Sequence, residues 1–88
     1  MKKNKPLDEH RHKINLIDYQ IVSLIDERMN IASNIGKIKQ KDNIRIFNKN
    51  REREILTNLK QKSKYLSYNE IEKIYEIIFE ISKKNQLK

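Results

Sequence analysis

Arg28 stands where the surrounding pattern asks for isoleucine. It falls midway between Ile21 and Ile35 in a row of apolar residues spaced by seven. A charge held in an apolar seam is expensive unless an anion meets it. That anion is either a carboxylate of the protein, making a structural ion pair or a register-setting polar contact, or one that arrives from outside. Lys39 lies eleven residues further on. Eleven helical steps return to within about 20° of the starting direction, so the two cations share a face, roughly 16 Å apart in rise. Long side chains at that separation can close on one small ligand. Taken alone, Lys39 reads as a solvated lysine that offsets a helix dipole. Glu52 sits beside Arg51 on the inner face of a second helical segment, where a carboxylate needs a cation or a ligand hydroxyl as donor. Ser82 and Gln86, one helical turn apart, are neutral hydrogen-bonding groups; each alone is an ordinary surface residue near a helix end. Together these residues describe a pocket for a small dianion that carries a hydroxyl.

Arg11 does not fit one chain. It lies about 25 Å from Arg28 along a helix axis and on another face. In an antiparallel pair of such helices centred near residue 23, the partner's Arg11 falls opposite residue 35, between Arg28 and Lys39. An exposed arginine is the plain alternative.

Three helical segments must position these groups. The first is expected from about Pro6 to about Lys41, with Pro6, Asp8 and Glu9 suiting a first turn. Its two apolar rows are Leu7, Ile14, Ile21, Arg28, Ile35 and His10, Ile17, Leu24, Ile31, Ile38. A heptad seam of that length implies a long helix paired with another. About 35 residues give roughly 50 Å, more than a chain of this size can cover from within. A second copy is the simplest cover. Asp42–Asn50 reads as a loop, with Asn48 or Asn50 as the cap of a second helix reaching about Lys64. That helix turns Ile55, Leu56, Leu59 and Glu52 to one side. Ser67 with Glu70 forms a capping box, and Leu66 with Ile71 a hydrophobic staple, at the start of the third helix. Its expected stripe is Ile71, Ile74, Tyr75, Ile78 and Ile81.

Composition sets bounds. The chain has 88 residues, which suits one domain over 1–88, and no cysteine, which excludes disulfides and thiolate zinc sites. A domain this small is marginally stable alone, and oligomerisation is the staple left to it. His10 and His12 do not share a helix face. No metal-ligand cluster, phosphate-binding glycine loop or nucleophile with a paired base occurs, so no metal or cofactor is expected. Met1-Lys2-Lys3-Asn4-Lys5 is charged but has no apolar run behind it, as a secretory signal would. No stretch approaches the roughly 20 apolar residues of a membrane span. A cytoplasmic protein is expected. Its net charge of +8 would draw in an anionic partner. Charge alone does not choose between a nucleic acid and a small dianion.

Arg11 through Lys39, the segment Asn48-Lys49-Asn50-Arg51-Glu52-Arg53 and the tail Ser82…Gln86 together resemble the all-helical class of chorismate mutase. The likeness runs from about Leu7 to Leu87. It rests on Glu27-Arg28, Gly36-Lys37-x-Lys39 and Arg51-Glu52 in that order and spacing. The resemblance implies an all-α, intertwined antiparallel homodimer with two shared sites, working without a cofactor. It implies conversion of chorismate to prephenate, a Claisen rearrangement on the route to phenylalanine and tyrosine. By the same resemblance, the partner's Arg11 and Arg28 grip the substrate carboxylates. Lys39 binds a carboxylate and the ether oxygen, and Gln86 donates to that oxygen. Glu52 accepts from the ring hydroxyl, Ser82 supports a carboxylate and Arg51 lines the pocket. Many members carry an acidic residue where this chain has Asn48; asparagine serves there if the backbone N–H is what matters. An isochorismate-pyruvate lyase would use a similar pocket. Against a nucleic-acid module, the aromatic residues form no stacking motif and no helix-turn-helix glycine turn occurs. For a purely structural dimer, Arg28 in the seam is an odd choice.

Overall fold

The computed structural model describes residues 4–88. The reading of Met1-Lys2-Lys3 as part of a charged, non-secretory start lies outside them. Three α-helices carry the chain: α1 over Lys5–Lys41, α2 over Lys49–Lys62 and α3 over Tyr68–Gln86. No strand occurs among the described residues, so the all-α expectation holds.

Each helix boundary has a local cause. Asn4 caps α1, its side-chain oxygen accepting from the Leu7 N–H at 3.0 Å, with Pro6 in the first turn where its missing N–H costs nothing. The helix therefore starts at Lys5, a residue before the sequence suggested. It ends at Lys41 with Asp42 as its C-cap, and Asn43 turns left-handed at φ 57°. Asparagine tolerates that conformation, which lets the Ile44 N–H bond back to the Lys39 carbonyl at 2.7 Å. Asn48, not Asn50, caps α2, accepting from the Arg51 N–H at 3.0 Å. α2 stops at Lys62 rather than Lys64, because Ser63 is extended and its hydroxyl accepts from the Leu66 N–H at 3.0 Å. The capping box is complete: the Glu70 N–H donates to Ser67 Oγ at 3.1 Å, and the Ser67 N–H donates to Glu70 Oε1 at 2.9 Å. Those bonds to Ser67, backbone first and side chain second, hold the Glu70 carboxyl below its ordinary pKa.

α3 is the element against which both other helices pack. Leu56 of α2 meets Ile71 and Phe79 of α3 in the core, with Ile55, Leu59 and Tyr75 around them. Ile71, the expected staple residue, is only 2% exposed. The buried face of α3 is thus Ile71, Ile78, Phe79 and Ser82. Ile74 and Ile81, placed on the stripe from the sequence, remain exposed, and Phe79 takes the central place. The cause is that α3 serves two neighbours, so its covered face turns toward the gap between them.

On α1 the side packed against α3 is Met29, Ala32 and Gly36. Gly36 is needed for its size: a Cβ there would collide with the backbone of Gln86. α1 and the end of α3 touch backbone to backbone at this point.

The rest of α1 is bare. Residues 5–24 are all exposed. Ile14, Ile17, Ile21, Leu24, Ile31 and Ile38 of the heptad seam are each 48–63% exposed. The molecule measures 62 × 26 × 17 Å, with a radius of gyration of 17.3 Å. A compact domain of this length would have about 12 Å. No helix among the described residues is long and apolar enough to cross a membrane.

Candidate active site

A cleft of about 370 Å³ opens where the C-terminal half of α1, the first turns of α2 and the last turns of α3 face one another. Arg28, Lys39, Asn48, Arg51, Glu52, Ser82 and Gln86 all line it. Seven of the eight residues singled out from the sequence are therefore brought together by one chain. Arg11 is not among them; it lies exposed on the bare half of α1.

Arg28 is half-buried, and its guanidinium sits 5.9 Å from the ring centroids of both Tyr75 and Phe79. Those rings hold it by cation–π attraction without neutralising it. Among the described residues no carboxylate pairs with Arg28. The structural ion pair considered for Arg28 is therefore not formed within the described chain, and its charge faces the cleft.

Lys39 spans two walls. Its Nζ donates to the Ile46 carbonyl and to Gln86 Oε1, each at 3.0 Å. A lysine ammonium has only donors, so the Gln86 amide must turn its oxygen toward Lys39. Its nitrogen then points the other way, 3.4 Å from Ser82 Oγ, and keeps a hydrogen to offer the cleft. Ser82 is 8% exposed and is the buried polar side chain of the described core. Lys39, Gln86 and Ser82 form one hydrogen-bonded line across α1 and α3. Gly36, one turn before Lys39, fixes the distance between those two helices.

On the opposite wall, Glu52 Oε2 pairs with Lys83 Nζ at 3.2 Å. Lys83 also lies 4.3 Å from the ring centroid of Phe47. Arg51 turns outward to Glu54 on the surface of α2. The Asn48 side-chain oxygen is committed to capping α2. The expected donor for Glu52 is thus a residue the sequence reading passed over. Lys83 precedes Gln86 by three positions and so neighbours it on α3, but its meeting with Glu52 comes from the packing of α2 on α3. Tyr75 and the Ile46 carbonyl are likewise parts of the site that residue type alone did not mark.

The family model described as chorismate mutase type II matches residues 10–87. The chain belongs to the type II chorismate mutase family. A bifunctional chorismate mutase/prephenate dehydratase of Aquifex aeolicus (strain VF5) is 47% identical over 49 residues. That match takes in 56% of this chain but 14% of the relative's length. A conserved hypothetical protein from Pyrococcus furiosus has the same fold, with a TM-score of 0.78 and 37% identity, over 96% of this chain and 99% of the other.

Proposed function

We propose that this chain converts chorismate to prephenate on the route to phenylalanine and tyrosine, as an intertwined homodimer in which the partner's Arg11 completes each site. One observation carries the reading. Arg28 and Lys39, cations with no carboxylate partner among the described residues, wall the same cleft as the Gln86 amide.

The rearrangement is intramolecular and needs no acid, base or nucleophile. It needs a pocket that selects the compact chair form of the substrate, an effect of orientation. It also needs donors aimed where negative charge builds on the ether oxygen as its C–O bond breaks. In the proposed complex Arg28 and the partner's Arg11 hold the two carboxylates. Lys39 contacts a carboxylate and the ether oxygen. Gln86 gives its free amide hydrogen to that oxygen, and Ser82 supports a carboxylate. Glu52 accepts from the ring hydroxyl, with Asn48 and Arg51 at the rim. Asn48 serves by capping α2 and so placing Arg51 and Glu52 in its first turn. The bare seam of α1 and the exposed Ile74, Ile77 and Ile81 of α3 support a second chain as cover.

The test is a chorismate-disappearance assay with the product identified. Prephenate is expected. Pyruvate released from isochorismate, with chorismate untouched, would replace this reading by that of the sister lyase.

A further inference from the structure

Lys83 has no part in the roles proposed so far, yet with Glu52 it makes the better shielded of the two ion pairs among the described residues. Its ammonium is held between Glu52 Oε2 at 3.2 Å and the face of Phe47 at 4.3 Å. It thereby joins α3 to the first turn of α2 and to the loop that enters it. The two side chains are 35% and 23% exposed, against 60% and 61% for the surface pair Arg51–Glu54. Shielded charges are screened less by salt and feel one another more strongly. Among the described residues, Glu52 Oε1 takes no hydrogen bond.

Glu52 creates a difficulty for the mutase reading. The substrate is a dianion, and a bare carboxylate in the wall would repel it. The same carboxylate is wanted as acceptor for the ring hydroxyl. We propose that Lys83 is a positioning residue that resolves this conflict: it cancels the charge of Glu52 through Oε2 and turns Oε1 toward the substrate hydroxyl. The inference rests on the mutase reading and adds to it a residue that acts through Glu52.

A charge-cancelling partner should act on binding more than on the chemical step, and only while Glu52 is charged. In the full-length chain, Lys83→Met should raise KM for chorismate about tenfold and change kcat by less than about threefold. Lys83→Arg should return KM to within about threefold of the parent, since it restores the cation. In a Glu52→Gln background, which keeps an acceptor oxygen but no charge, Lys83→Met should cost no more than about a further twofold. Additive losses in the double variant, or equal losses in Lys83→Met and Lys83→Arg, would overturn the role of Lys83 alone. Should Lys83→Met lose its helical circular dichroism, Lys83→Gln takes its place in the same cycle. Failure of the parent chain to form prephenate would remove the mutase reading and this proposal with it.

Discussion

At the scale of single residues, the groups of the proposed site already hold one another. Lys39 is fixed by Ile46 and Gln86, and Gln86 in turn by Ser82. Removing one such preorganised donor typically raises a barrier by ~3–4 kcal/mol. Lys39→Ala should therefore lower kcat by about 10²–10³ while the chain keeps its helical content. Turnover near that of the parent would refute the role of Lys39. Gln86→Glu makes a second test, read as a pH profile. The native amide donates at any ordinary pH, whereas a carboxyl donates only when protonated. The ammonium of Lys39 beside it favours the ionised form. Activity of the variant should thus already be low at neutral pH and climb only in the acid range, where the carboxyl takes up its proton. A flat profile would count against donation by Gln86. Much of this was legible from residue types, because Arg28 is misplaced in an apolar pattern and helical geometry puts Lys39 on the same face. Lys83 was not legible. A lysine in the last turns of a helix has an ordinary explanation in the dipole, and only the folded chain shows Glu52 beside it.

At the scale of elements, the hydrogen-bonded line of Lys39, Gln86 and Ser82 depends on how closely α1 and α3 approach. Gly36 sets that distance, since any side chain there would meet the Gln86 backbone. Gly36→Ala should favour the isolated helix by roughly 1 kcal/mol yet push the end of α3 away. The expected result is helical content as high as the parent's with kcat lowered by at least about tenfold, because small misplacements at a reacting centre are costly. Unchanged kcat would show that the contact at Gly36 does not position Gln86. The elements themselves were mostly readable. The capping box at Ser67 and the long helix implied by the apolar spacing of α1 are local signals, and the structure carries both. Packing within one chain covers only part of the α3 stripe: Ile71 and Ile78 are buried, whereas Ile74 and Ile81 stay open, and local sequence does not say which neighbour meets which residue. The end of α2 was likewise set by one serine hydroxyl accepting from Leu66.

At the scale of the whole molecule, the shape is that of an incomplete object. A bare helix half, an open apolar seam and a site that lacks its expected second arginine all lie on the same elongated chain. If sites are shared, chains carrying Arg11→Ala and chains carrying Arg28→Ala should each be nearly inactive alone. Mixed after unfolding and refolding together, they should regain activity, because a mixed dimer holds one site with both arginines intact. No recovery, with dimers demonstrably exchanged, would refute the sharing. The expectation of a second chain follows from helix length alone. Its arrangement does not, since a heptad pattern does not state which way the partner runs.

The open seam has a consequence beyond geometry. If a second copy covers its isoleucines, as proposed, the chain draws its stability partly from association, and association obeys mass action. Each tenfold dilution then removes about 1.4 kcal/mol from the folded dimer. The melting temperature of such a protein is not a constant of its sequence; the number of copies a cell makes becomes one of the terms that keep it folded.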